Sequence, residues 1–383
     1  MNSETGGKVI KCRAAICWAP TKPLTVEEIE VEPPRAGEVR IKVIANSICH
    51  SDVFVYDGQL SGTMIATKYP CILGHEATGL VESVGDGVTS VAPGDYVITM
   101  FNASCQECVF CKNPKTNLCV ARPIDEVIMA DGTSRFKFNG QTIYYFGGIS
   151  SLSEYTVISE FKMAKINPNA RMDRVCIFAC GFPTGYGSVA KIAQAEPDSS
   201  VAIWGLGTLG LLAVCAARKC KAKTIIGIVR NERKIELAKK MGCTHFVNTV
   251  KCKEESKTVA DAIKELTGGI GVDYAIECVG NAACVREALE STAPWGTTVV
   301  AGICSANDKL EINPNQLLSG KKLTGTFFGG YKSKQSIPQM IDDYVDGKLD
   351  IEALFTGSVQ LNEVDAAFQL LKQGKALRTV IVF

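Results

Sequence analysis

The chain has 383 residues, 46% of them hydrophobic and 21% charged, and a formal net charge of +1. At about 150 residues per domain that length predicts two domains, and the composition is that of a soluble globular protein. A charge this near balance, with no basic run, excludes a general pull toward nucleic acid or a membrane surface.

The N-terminal stretch MNSETGGKVIKCRAAICW has no long apolar core and no cleavage pattern, so no signal peptide is expected. Residues 9–100 are strand-rich: KVIKCRAAICW, EVRIKVIANS, ATGLVESVGDGV and DYVITMF alternate or run apolar between Pro and Gly punctuation. This predicts a compact, β-barrel-like region. Residues 101–123 are cysteine-rich and loop-like, and 124–150 carry the turn signals DGT and NGQ of a connecting hairpin or loop.

From about 182 the texture changes. The strands VAIWG, TIIGIV, VDYAIECVG and GTTVVAGI alternate with the helical patterns LGLLAVCAARKC, ERKIELAKKMG, VADAIKELTGG and ACVREALEST. That alternation predicts a parallel, doubly wound sheet. The longest uncharged run, between Ser199 and Arg218, nears the length of a membrane span, but three glycines break it into strand, turn and helix start. After about 328 come two helical segments and the apolar strand RTVIVF, too short for a domain and expected to rejoin the first one. The expected division is therefore 1–181 with 328–383, and 182–327.

Seventeen cysteines is many for this length, but the number is odd and most lie in apolar segments such as those of Cys215, Cys278 and Cys304. Free thiols are common core residues, so a reducing cytoplasm is expected, with a minority of the cysteines binding metal. Cys105, Cys108, Cys111 and Cys119 are separated by two, two and seven residues. Four thiolates so spaced can wrap one tetrahedral zinc ion and leave no open position, which is a structural site. An iron–sulfur cluster would also need four thiolates, but the run lacks the spacing and following proline of the bacterial ferredoxin type.

Gly205-Leu206-Gly207-Thr208-Leu209-Gly210 follows the strand VAIW and opens a helix. The glycines permit a tight turn, close approach of backbone to a pyrophosphate, and helix–sheet packing. A lone GxGxxG says little, but this one has the strand and helix that a dinucleotide site requires. The tip of the second strand selects the cofactor. An acid there would bind the ribose 2′-hydroxyl of NAD, whereas this sequence has Val229 followed by Arg230, with Lys234 one turn on. A guanidinium suits a 2′-phosphate, so the residues favour NADP(H) and leave NAD(H) possible. Glu232, the local acid, is expected to face solvent.

There are three histidines, His50, His75 and His245. Cys49, His75 and Cys180, with a water, could form an open zinc site able to polarise a carbonyl, although sequence separation alone does not bring them together.

Taken in order, GHEATGLVESVGDGV, the four-cysteine loop, CGFPTGYG and GLGTLG resemble the zinc-dependent medium-chain alcohol dehydrogenases, from about Val9 to Phe383. GKVIKC, DGTSRF, FFGGYKSK and RTVIVF are similar to the animal-type dimeric branch. The resemblance implies a GroES-like catalytic domain and a Rossmann domain, two zinc ions per chain, and a homodimer joined through the nucleotide domain. It implies catalytic zinc on Cys49, His75 and Cys180, with Glu76 and Asp52 close around the metal. Ser51 would bridge the substrate oxygen and the cofactor ribose, and His50 and Arg378 would contact the pyrophosphate. Phe101, Phe146, Ile303 and Phe327 would line the substrate pocket, Ile303 also bordering the cofactor, with Leu60 and Ile124 at its mouth.

Three departures follow. The family's acid at the tip of the second nucleotide strand is Val229 here. The relay histidine three residues after Ser51 is Phe54, which cannot carry a proton. The Asp and Arg with which the glutathione-dependent branch holds its substrate are matched by Leu60 and Pro123, so a glutathione adduct is not the expected substrate. The expectation is a zinc-dependent oxidoreductase that interconverts an apolar alcohol and its aldehyde or ketone with NADP(H). The alternatives are NAD-dependent alcohol oxidation, and reduction of a C=C or iminium bond, for which Phe54 speaks.

Overall fold

The computed structural model describes residues 5–59, 67–122 and 126–383. The chain forms two compact units, Met1–Cys180 with Lys332–Phe383, and Gly181–Tyr331. The first unit begins with β1 (Ile10–Cys17), β2 (Thr25–Val31), β3 (Glu38–Ser47), β4 (Cys71–Ile72), β5 (Ala77–Val84), β6 (Tyr96–Thr99), β7 (Phe136–Phe138), β8 (Gln141–Tyr145), β9 (Tyr155–Ser159) and β10 (Met163–Lys165). The order β1-β2-β7-β8-β4 closes a small barrel. Closure leaves none of its strands with an open edge, the usual liability of a β-sheet. The β7–β8 hairpin turns on Asn139 and Gly140 at φ 49° and 80°, as the NGQ signal predicts for a two-residue turn with both central residues left-handed.

The second unit carries β11 (Ser200–Trp204), β12 (Thr224–Val229), β13 (His245–Asn248), β14 (Val272–Glu277), β15 (Thr292–Val300) and β16 (Lys322–Gly325). They form one sheet in the order β13-β12-β11-β14-β15-β16, with every pair parallel. Parallel strands need crossovers, and the helices Thr208–Lys219, Ile235–Met241, Val259–Leu266 and Ala282–Ser291 supply them. Ala202, Trp204, Ile226, Ile228, Ile263 and Ala288 pack in its core. The strand order reverses direction between β11 and β14, the crevice where doubly wound sheets bind ligands.

The chain then returns to the first unit through the helix Ser333–Val345, β17 (Phe355–Gln360), the helix Val364–Lys372 and β18 (Arg378–Val382). The second sheet of that unit runs β10-β6-β5-β3-β18-β17, with β9 also on β3. The strand RTVIVF thus lies inside a sheet, antiparallel to β3 and parallel to β17.

One segment takes a form that the sequence conceals. GFPTGYG, here Gly181–Gly187, is a helix that passes into a π-helical stretch over Ser188–Ala193. Three glycines and a proline in seven residues argue against a helix by propensity. Packing overrides that preference, because a side chain at Gly187 would come within 2.6 Å of the Tyr331 ring and one at Gly185 within 2.8 Å of Leu212.

Candidate metal and nucleotide sites

The helix His50–Tyr56 starts at Cys49, which serves as its N-cap. Asp52, fully buried, accepts from the Cys49 amide at 3.0 Å, from the Gly74 amide at 2.9 Å, and meets His75 Nδ1 at 3.1 Å. One carboxylate therefore fixes the backbone of two separate segments and occupies one nitrogen of the imidazole, leaving His75 Nε2 for an ion. Across the sheet, Cys180 follows the short turn Cys176–Ala179. The result is a buried cluster in which ligand atoms of Cys49, His75, Glu76 and Cys180 all lie within 4.8 Å of one another. Two thiols, an imidazole and a carboxylate form the donor set of a zinc site.

Packed this closely, the groups of the cluster shift one another's proton affinities in opposite directions. A hydrogen bond shared with Cys180 and the nearby Arg378 guanidinium hold the Cys49 thiol well below its ordinary range against the effect of burial, while the Cys180 thiol is pushed up. Burial, only partly offset by Arg378, raises the Glu76 carboxyl to about 8. Arg378 pairs with Glu76 at 2.9 Å, donates to the Ile48 carbonyl at 2.7 Å and lies 3.9 Å from the Cys49 sulfur. Its Nε is buried with no hydrogen-bond partner among the described residues, an orphan of the kind a ligand or water satisfies. Ser47, in a short contact with Glu76, is a neighbour that no motif announced. Ser51 is half-buried with its hydroxyl 3.8 Å from the Cys49 sulfur.

Two aromatic rings wall the histidine. Phe101 meets His75 edge-on at 5.7 Å and Phe146 does so at 5.4 Å. Phe54 is half-buried, one turn along the helix from the exposed His50, their rings 6.5 Å apart. Leu60 and Ile124 lie outside the described residues.

The other four thiols also converge. Cys105, Cys108, Cys111 and Cys119 offer sulfurs within 4.8 Å of one another, with 3.8 Å between Cys105 and Cys111 and 3.9 Å between Cys108 and Cys119. Zinc–sulfur bonds of about 2.3 Å in a tetrahedron set sulfurs about 3.8 Å apart, so the cage fits zinc. Backbone amides point at the sulfurs, Cys108 to Cys105 and Cys111 to Cys108, each at 3.4 Å. The loop is anchored by the Lys332 amine on the Cys111 carbonyl and by the Ser333 hydroxyl on the Asn102 carbonyl at 2.6 Å.

In the second unit Gly205 sits at φ +82°, and Gly207 caps the helix Thr208–Lys219. Apart from its two chain neighbours, nothing among the described residues lies within 4 Å of where a Gly207 side chain would start, which leaves the cradle a pyrophosphate would fill at a helix N-terminus. Thr208 is buried and Leu209 half-buried on the first turn. Val229 ends β12 and is buried, Arg230 is exposed, and Lys234 caps the next helix half-buried, its amine pulled down by burial. Glu232 is exposed as expected and is held by Lys251 at 2.7 Å. Ile303 and Phe327 are half-buried. Glu277, buried at the end of β14, accepts from the Val279 and Gly280 amides at 2.7 and 2.8 Å and shapes the loop facing Ile303. Only a carboxylate in an apolar strand marks it in the sequence.

Comparison with known proteins identifies the family. The model of the alcohol dehydrogenase GroES-like domain matches residues 35–168, and that of the zinc-binding dehydrogenase domain matches 208–346. The chain is 44% identical to the class-3 alcohol dehydrogenase of Pisum sativum over 98% of its own length and 99% of that protein's. It is 45% identical to alcohol dehydrogenase 2 of Zea mays over 98% of each. Among solved structures it resembles an alcohol dehydrogenase zinc-binding domain protein from Burkholderia ambifaria (TM-score 0.88, 29% identity, 98% and 100% covered). It also resembles the benzyl alcohol dehydrogenase of Acinetobacter calcoaceticus (TM-score 0.87, 26% identity, 98% and 99% covered). With both family domains matched in order, and relatives of this identity spanning the whole chain, the protein belongs to the zinc-dependent medium-chain alcohol dehydrogenases.

Proposed function

We propose that the protein interconverts an apolar alcohol and its aldehyde or ketone with NADP(H), and that it works as a homodimer. The observation that carries the cofactor reading is the tip of β12. No carboxylate stands there, because Val229 ends the strand and Glu232 is engaged by Lys251 at 2.7 Å. The Arg230 guanidinium and the half-buried Lys234 amine remain for a 2′-phosphate. Charge-assisted bonds of that type are roughly twice as strong as neutral ones.

When bound, zinc supplies a Lewis acid for the substrate oxygen and the nicotinamide supplies the hydride. The chain's own residues do the remaining work. Asp52 holds His75 and the Cys49 backbone in place. Ser51 offers its hydroxyl to the reacting oxygen, and Phe101 and Phe146 exclude water around it. Phe54 blocks the usual exit for the Ser51 proton, so that proton leaves through water or past His50. Support for the dimer is the edge strand β16, beside which Trp295 and Leu318 are 78% and 83% exposed. An uncovered parallel edge flanked by apolar side chains is a natural surface for a second copy.

Initial rates with NADPH and NADH over a series of aldehydes test the cofactor reading. NADPH is expected to be preferred at least about tenfold, and Arg230→Ala to raise its KM about tenfold, the loss of one charged hydrogen-bonding group. A tenfold preference for NADH, or no effect of Arg230→Ala, refutes it. Cinnamaldehyde addresses the C=C alternative: an allylic alcohol product supports the carbonyl reading and a saturated aldehyde the other.

A further inference from the structure

Lys162 is a lysine with no exposed side-chain surface. Its side chain is fully buried, and its amine pairs with Glu126 at 2.8 Å and donates to the Gly147 carbonyl at 2.8 Å. The Glu126 carbonyl in turn accepts from the Gly148 amide at 2.9 Å. The pair fills the space beside Gly148, where a side chain would come 2.6 Å from Glu126 Oε2 and 2.7 Å from the Lys162 amine. The residue before Gly147 is Phe146, whose ring stands edge-on to His75 at 5.4 Å. Lys162 reaches the other wall through its backbone, its carbonyl accepting from the Met100 amide at 2.7 Å. The next residue is Phe101, edge-on to His75 at 5.7 Å. One residue thus touches the backbone beside both rings.

We propose that Lys162, paired with Glu126, is a positioning residue that fixes the two aromatic walls of the substrate site and so sets discrimination by substrate size. This rests on the reading of Phe101 and Phe146 as substrate-lining residues. Gly147 and Gly148 both have left-handed backbone, at φ 59° and 66°, and glycine pairs are conformationally permissive. The segment that carries Phe146 therefore owes its definition to what holds it. A buried ammonium that loses its partner is left uncompensated, so the Lys162 side chain resists displacement.

The test replaces both charges, so that neither is left unpaired, in Lys162→Met/Glu126→Gln. It compares kcat/KM for benzyl alcohol and ethanol in the holoenzyme. The ratio is expected to fall by about fivefold, mostly through the benzyl alcohol KM, as a misplaced wall predicts. The KM for NADP and a content of two zinc ions per chain should not change. Phe146→Ala is run alone and in combination, and the combined effect should be less than the product of the two. A normal ratio in the double variant, with a shifted ratio in Phe146→Ala, overturns the proposal and leaves the walls as read. No shift in either overturns both. Full additivity, or parallel loss of zinc and cofactor affinity, shows a merely structural role and also overturns it. If the double variant does not fold, Glu126→Gln alone should move the ratio in the same direction by less, and no movement refutes the proposal.

Discussion

Asp52 ties together the buried cluster of Cys49, His75, Glu76 and Cys180 from outside it. It binds the amides of Cys49 and Gly74 and the Nδ1 of His75, so it sets both the tautomer and the spacing of the metal-facing atoms. Asp52→Asn keeps the volume but removes the charge. Partners of this kind are worth about 10–100-fold in metal affinity. We expect the purified variant to hold close to one zinc per chain by elemental analysis, with turnover reduced in proportion to the missing metal. Two zincs and normal turnover would show that the carboxylate is dispensable. Arg135 is a counterpart remote from the metal. It is buried against both oxygens of Glu38 at 2.8 and 2.6 Å and against Asp131 at 2.7 Å. Against desolvation, which raises it, the bonds from Arg135 and Thr133 hold the Asp131 carboxyl well below its ordinary value. A carboxyl depressed on folding stabilises the protein above its unfolded pKa, about 3.9, and that contribution is lost as pH falls through the folded value. Asp131→Asn should therefore lower Tm at pH 7, and the gap to the wild type should narrow below pH 4.

At the scale of elements, we propose that the four-cysteine loop is a folding unit rather than a reactive one. Its sulfurs form a closed cage and its backbone is tied to Lys332 and Ser333. Cys111→Ser should reduce soluble yield and lower Tm by several degrees, while the active fraction keeps near-normal kcat. A well-folded, inactive variant would mean that the roles of the two metal sites are reversed. This loop and the glycine turn at 205–210 were legible in the sequence because each is local: spacing alone states how many donors or amides face one point. The strands and crossovers of the second unit were legible from periodicity. The helix Gly181–Gly187 was not, since its glycines answer to neighbours far along the chain, Leu212 and Tyr331. The convergence of Cys49, His75 and Cys180 was inferred from resemblance alone, because no local pattern encodes a contact across 131 positions of chain. Lys162 and Glu126 were invisible for the same reason. A lysine in a short polar segment has the pattern of a surface residue until a fold buries it.

At the scale of the molecule, the proposed homodimer would be joined along the edge strand β16. Leu318 is 83% exposed beside it, and a charge there would be desolvated on dimerisation. Leu318→Glu should convert a dimer to a monomer by light scattering, with little effect on the Tm of the separated chain. An unchanged dimer would place the interface elsewhere. The position of β18 has a consequence for the order in which the protein is made. Ile48, next to the metal-facing Cys49, exchanges backbone and side-chain bonds with Thr379 and Arg378, and β18 separates β3 from β17. On the ribosome, Cys49 emerges early, yet the strand that completes its sheet is translated more than 300 residues later. At about 5–20 residues per second that is a wait of at least about 15 s, during which residues 181–331 can fold as a unit of their own. Cys49 is therefore the first of the metal-facing groups to be synthesised and waits for the end of the chain to be enclosed, and a nascent chain stalled before residue 378 should leave it open to thiol-reactive labels.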